Sequence, residues 1–258
     1  MKVTKNKLSR QSGFTLVEMA IVLVIIGLIL GAVSIGKDLQ RDAEYAKVKQ
    51  KFLDQWVTAY NTHYQRAGVV VGDDETQPQI MVNGATYIGG GTASGGDMSA
   101  VAPPPAICNG ALAPKMARTA PALNLHTYFD NLGIRMPPGR AEGSEDRYVY
   151  LDSNGNPQEI QVCFQWNNPT EAAGSGNVMV ISGLTPDLAR ALDQMIDGKP
   201  DAQEGVFRQE GVANGTPGGP GIPWVGTNIF DNSSATGTAN NFDEDQVLTL
   251  VANYKMNQ

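Results

Sequence analysis

The 258-residue sequence predicts an α+β chain in which one long N-terminal helix leads into an antiparallel sheet with long Gly-rich loops. Three observations predict it. An apolar run of 22 residues, Phe14 to Ile35, suits a membrane-spanning helix, which needs about 20. No Gly or Pro interrupts residues 37–66, where Tyr45, Val48, Phe52, Trp56, Tyr60 and Tyr64 recur at three- and four-residue steps and mark one apolar face. Beyond Gly68, short runs of alternating apolar residues are punctuated by Gly, Asn and Pro, the period and punctuation of strands.

The first element is a basic leader. Lys2, Lys5, Lys7 and Arg10 precede Gly13 without any acidic residue, and such a flank stays in the cytoplasm while the residues after the helix are exported. A secretory signal has an apolar stretch of about 7–15 residues followed by small residues at its cleavage site, and the run here is longer. Glu18 is the one carboxylate within it. A charged side chain deep in hydrocarbon costs roughly 2.5–3.5 kcal/mol on insertion scales, so an anchor alone would favour Leu. A cut after Gly13 would place an ammonium on Phe14, four residues before Glu18 and on the same helix face. That amine can pair within its own chain or with an axially shifted neighbour.

Gly13-Phe14-Thr15-Leu16-Val17-Glu18, with the basic leader before it and the apolar helix after it, resembles the processing and methylation segment of type IV pilins and of type II secretion pseudopilins. The resemblance covers about the first thirty residues. It implies a pilin-like fold, cleavage between Gly13 and Phe14 by a prepilin peptidase, N-methylation of Phe14, and assembly guided by Glu18 and the Phe14 amine. The implied partners are like or related pilin subunits, the prepilin peptidase, an inner-membrane assembly platform and the membrane. The implied location is a single inner-membrane pass, with the N-terminus cytoplasmic and the C-terminal domain periplasmic, followed by a pilus or pseudopilus. The chain then divides into a cleaved leader (1–13), a membrane and filament-core helix (14–36), its amphipathic continuation (37–67) and an exported globular domain (68–258).

A mature chain of 245 residues is larger than the usual major pilin, which inclines the reading to a minor or specialised structural subunit rather than an enzyme. The alternatives are a pseudopilin and a membrane-anchored binding protein that never polymerises. Many type IV pilins carry a proline about a third of the way along this helix; none stands near Ile35 here. Gly27 and Gly31 form a small-xxx-small pair followed by Gly36, which permits close helix contact.

The helix is expected from Phe14 to about Ala67, on the order of 80 Å at 1.5 Å per residue, with Asp38–Arg41 and Glu44–Lys47 pairs on its wet side and a stop at Gly68. Its apolar face predicts a sheet to pack against. Residues 83–105 read as a long exposed connection, and 122–132 as a short helix. The clearest hairpin joins 147–152 to 158–166 through Ser153-Asn154-Gly155-Asn156. A strand follows at 177–182. Thr185 caps a helix with Pro186 at its first position and Leu188, Leu192, Met195 and Ile196 on its buried face, ending at Gly198. Short strands are expected at 205–209 and at 247–251, with a Gly-, Asn- and Thr-rich tail across 211–241.

Cys108 and Cys163 both lie in the exported part, where oxidation permits one disulfide; two unpaired thiols are the alternative. Removing the four leader cations takes the net charge from −7 to −11, and no Lys/Arg cluster follows Lys51, so there is no evidence for nucleic-acid binding. His63 and His126 have no zinc-type spacing and read as surface or interface residues. Gly89-Gly90-Gly91 lacks the Lys-Ser or Lys-Thr of a phosphate loop, and no Gly-x-Ser-x-Gly motif frames a nucleophile. Asp152, Asn154 and Asn156 alternate as calcium ligands do, but a hairpin turn accounts for them. Asp231, Asp243, Glu244 and Asp245 are weak candidate calcium ligands; a solvated acidic loop is the default reading of them, and no cofactor is required.

Overall fold

The computed structural model describes residues 15–86, 108, 125–169, 171–212, 221–226 and 248–256. The chain divides into two compact units, Met1–Asp42 and Ala43–Gln258. In the first unit, helix α1 (Leu16–Val48) begins, and every residue from Thr15 to Gln40 is exposed, the apolar ones included. Asp38 and Arg41 pair at 3.6 Å on this surface.

The second unit starts where the buried helix face starts. Tyr45 and Val48 of α1 are followed by a π-helical turn, Lys49–Leu53, and by α2, Asp54–Ala67. The π turn has a reason in the spacing. Val48, Phe52, Trp56 and Tyr60 stand four apart, and at 100° per residue each such step overshoots a full turn by about 40°. Three overshoots, roughly 120°, would carry Tyr60 off the stripe that starts at Val48. A widened i→i+5 turn absorbs the drift, and all four side chains are buried. Glu44–Lys47 (3.4 Å) and Lys49–Asp54 (2.9 Å) occupy the wetter side. Gly68 closes α2 in the left-handed conformation (φ 75°), donating its N–H to the Tyr64 carbonyl at 2.9 Å.

Five antiparallel strands form one sheet in the order β1-β2-β3-β5-β4. They are β1 Arg147–Leu151, β2 Pro157–Asn167, β3 Gly176–Leu184, β4 Phe207–Gln209 and β5 Leu250–Lys255. The face toward the helix carries Tyr148, Phe164, Met179 and Phe207. Phe52 meets Tyr148 with ring centroids 5.2 Å apart, Trp56 meets Phe164 at 6.1 Å, and Tyr60 meets Phe164 at 5.0 Å. Helix α3 (Leu125–Asn131) adds Phe129, 6.3 Å from Trp56. The chain is thus α+β and pilin-like, a long N-terminal helix packed with an antiparallel sheet.

The β1–β2 hairpin closes through Asp152, whose carboxylate accepts the N–H groups of Asn154 (2.9 Å) and Asn156 (2.8 Å), while Gly155 supplies the positive φ of 84°. Thr185 caps α4 (Pro186–Ile196) by accepting the Leu188 N–H, and Tyr150 of β1 ties in by donating its hydroxyl to Thr185 Oγ1 at 3.2 Å.

Several expectations are corrected. Met195 is exposed although its spacing of seven from Leu188 keeps it in helical phase: it stands in the last turn of α4, and the face that is buried runs through Leu188, Ala189, Leu192 and Asp193. The final strand runs to Lys255 because the polar stretch Asn253-Tyr254-Lys255 lies between β3 and β4 and is paired on both sides. His63 is buried, 3% exposed, against the Phe129 ring with Nδ1 3.2 Å from the Val69 carbonyl oxygen; burial holds its pKa below the ordinary histidine value. Most of the 83–105 connection and of the 211–241 tail lies outside the described residues.

Candidate functional site

The N-terminal segment is built on a reciprocal cap. Thr15 precedes the first helical residue, and Glu18 lies three residues on. The Glu18 carboxylate accepts the Thr15 N–H at 2.7 Å and the Thr15 hydroxyl at 2.9 Å, while Thr15 Oγ1 accepts the Glu18 N–H at 3.3 Å. This is a capping box, a Thr-x-x-Glu pattern that satisfies two of the donors left open at a helix start. Thr15 was not singled out from the sequence, although its spacing from Glu18 carried the signal. Glu18 therefore has a local structural task beside the one expected of it. Gly13 and Phe14 lie outside the described residues.

From Leu16 the helix is long and apolar enough to cross a membrane, with a mean hydropathy of 2.8 in its most apolar window and, among the described residues, none of that window buried. A Cβ added at Gly27, Gly31 or Gly36 would meet nothing within 4 Å, so packing inside the chain does not demand glycine there. An apolar surface of this length leaves water only by entering lipid or by meeting other chains.

In the second unit a disulfide joins Cys108 to Cys163, with 5.7 Å between Cα atoms. Cys163 lies on β2, and Cys108 packs on Val178, Val180 and Val251, a small apolar cluster separate from the main core. The bridge therefore pins a point of the chain between α2 and α3 to the sheet. Among the described residues no three His, Cys, Asp or Glu side chains form a metal-binding group. The hairpin residues Asp152, Asn154 and Asn156 are engaged in the turn itself. Asp231, Asp243, Glu244 and Asp245 lie outside the described residues. His126 pairs with Asp130 at 2.9 Å on α3.

One charged centre was not anticipated. Asp193, fully buried on α4, accepts the Asp201 N–H at 2.6 Å and the Trp224 Nε1–H at 2.9 Å through Oδ2, while Oδ1 has no hydrogen-bond donor. Burial pushes its pKa up to about 7; the bonds from Trp224 and Asp201 oppose that shift, and the neighbouring Asp197 carboxylate adds to it. Asp197 in turn accepts the N–H groups of Val206 (3.0 Å) and Phe207 (2.9 Å), and Asp201 those of Gln203 (3.1 Å) and Ile222 (3.2 Å). Every carboxylate in this row pins backbone, so the row reads as a clasp that fixes Trp224 against Phe207.

The fold and the exposed apolar helix together define a membrane-anchored, pilin-like architecture. Residues 8–34 match the family model of the prokaryotic N-terminal methylation motif, which is characteristic of type IV pilins and pseudopilins. The match takes in Gly13, Phe14, Thr15 and Glu18. No curated protein and no solved structure matches the chain.

Proposed function

We propose that this chain is a structural subunit, a minor or specialised pilin, of a type IV pilus-like filament. The observation that carries the reading is the methylation motif at residues 8–34 set on a helix whose most apolar stretch is exposed among the described residues. The precursor sits in the inner membrane with Lys2 to Arg10 in the cytoplasm. A prepilin peptidase cuts between Gly13 and Phe14 and methylates the new amine, and residues 14–36 then pass from lipid into the filament core. There the Glu18 carboxylate of one subunit attracts the Phe14 ammonium of a neighbour. In a low-dielectric surround that attraction is far stronger than in water, and because both Thr15 bonds go to Glu18 Oε2, the other carboxylate oxygen can receive the ammonium with the cap in place.

Mass spectrometry of the native protein tests the processing step. An N-methylated N-terminus at Phe14 is expected, and Gly13→Val should leave the precursor whole in the membrane. An N-terminus at Met1, or one created beyond Val33, overturns the reading. The same motif serves pseudopilins, so the two machines are separated by product: a sheared surface filament containing this chain indicates a pilus, whereas a secretion defect on deletion without such a filament indicates a pseudopilus.

A further inference from the structure

The cap decides where α1 starts. Thr15 stands outside the helix while its carbonyl accepts the first helical bond, from the Met19 N–H at 3.3 Å. The Glu18 N–H, which a longer helix would give to the Phe14 carbonyl four residues back, goes to Thr15 Oγ1 at 3.3 Å instead. Thr15 thereby holds the helix start at Leu16. In lipid an unpaired N–H is costly, so a start without a side-chain acceptor recruits carbonyls from further upstream. Glycine is an acceptable N-cap, which makes a helix beginning at Phe14 behind Gly13 the natural competitor. In that frame the Glu18 N–H bonds the Phe14 carbonyl and the Val17 N–H bonds the Gly13 carbonyl.

The Gly13 carbonyl is the one that cleavage has to reach. Hydrolysis adds the oxygen of water to its carbon and breaks the bond to the Phe14 nitrogen, which leaves as the amine after taking a proton. The carbonyl oxygen gathers negative charge on the way and needs hydrogen-bond donors from the peptidase. Inside a helical turn that oxygen is committed to Val17, and the turn itself shields the carbon.

Residue types around the cap favour the later start. Phe14 stands immediately before Thr15 and Met19 four positions after it, the apolar pair of a hydrophobic staple, which sets the angle at which a chain enters its helix. The competing frame has neither device. Its cap would be Gly13, its third helical residue Leu16 where a capping box needs Glu or Gln, and the residue before its cap the polar Ser12.

We infer that Thr15 is a positioning residue for processing: its hydroxyl fixes the helix start at Leu16 and leaves the Gly13 carbonyl to the peptidase. The inference rests on the processing reading above and adds Thr15 to it.

Full-length precursors carrying Thr15→Val, Thr15→Ser or Thr15→Asn are extracted from membranes in detergent, so that only inserted chains are assayed, and are cut by a prepilin peptidase at a series of precursor concentrations. Valine keeps the shape of threonine without the hydroxyl, whereas serine and asparagine both cap, and asparagine does so with a different shape. A lost cap lowers the fraction of precursor in the cleavable frame, which raises KM and leaves kcat unchanged. KM of the Val chain should rise about fivefold, and the Ser and Asn chains should match wild type. A wild-type KM for the Val chain, a fall in kcat in place of the rise in KM, or an Asn chain as impaired as the Val chain overturns the positioning role while the processing reading stands. A wild-type precursor that is not cut between Gly13 and Phe14 overturns the processing reading itself.

Discussion

Asp193→Asn isolates the energetic effect of a buried acid. The native carboxyl titrates near 7 against an ordinary value of 3.8, a rise of roughly three units. At about 1.4 kcal/mol per unit, its ionisation opposes folding by at most about 4 kcal/mol. The sign follows from proton binding. Between these two values the native state holds a proton at Asp193 that the unfolded chain has released. Stability from this group is therefore fully present below about pH 3.8, declines as pH rises, and has gone once pH passes about 7. In the protonated form Oδ1–H can donate to the Asp197 carboxylate, whereas in the ionised form two carboxylates face each other beside Asp201, whose Oδ2 pairs with Lys199 at 3.2 Å. Asparagine keeps an acceptor for the Trp224 and Asp201 N–H groups and offers its amide N–H to Asp197 at every pH. Urea unfolding of detergent-solubilised protein, followed by tryptophan fluorescence at a series of pH values from 4 to 8, measures the difference between the two chains, in which the other titrating groups cancel. The Asn variant should gain on wild type by up to about 4 kcal/mol across that range. Parallel profiles would refute the assignment of a raised pKa to Asp193.

Two further perturbations address other parts of the chain. Reduction of Cys108–Cys163 frees a loop of 55 residues and should destabilise the second unit by up to about 4 kcal/mol on the chain-entropy account; unfolding curves unchanged by reductant would refute it. Glu18→Gln retains a side chain able to complete the capping box with Thr15 but removes the charge, whereas Glu18→Leu removes both. Both variants should insert in the membrane and both should be lost from sheared filaments. Wild-type incorporation of Glu18→Gln would reduce the contribution of Glu18 to helix capping.

The elements that were legible in the sequence are those whose local signals agree. The β1–β2 hairpin combined alternation with an Asn-Gly turn, and α4 combined a Thr cap with Pro at its first turn, so local and tertiary preferences converged there. The π turn was less legible because the three- and four-residue steps were counted without adding their phase; the consecutive fours from Val48 to Tyr60 carry the signal once they are summed. His63 misled, and Asp193 drew no notice, for a different reason. A carboxylate or an imidazole reads as solvent-facing until donors from distant segments, such as Trp224 31 positions away, are known to converge on it. The left-handed backbone of Ile80 (φ 57°) could not be read at all, since nothing local to Gln79-Ile80-Met81 demands it. The demand comes from Asn177, 97 positions later.

These differences follow a division of labour in the chain. The second unit hides its aromatic helix face in its own sheet, satisfies its sharpest turns with Asp73, Asp152 and Asp197, and locks its chain with a disulfide. Its fold therefore depends little on other molecules. The described part of the first unit is the reverse: beyond the Thr15–Glu18 cap and the Asp38–Arg41 pair it shows helix bonds and exposed apolar side chains, so its stability is completed by what surrounds it. Substitutions in the sheet should accordingly be read out first as unfolding, and substitutions at Glu18 first as a defect in assembly.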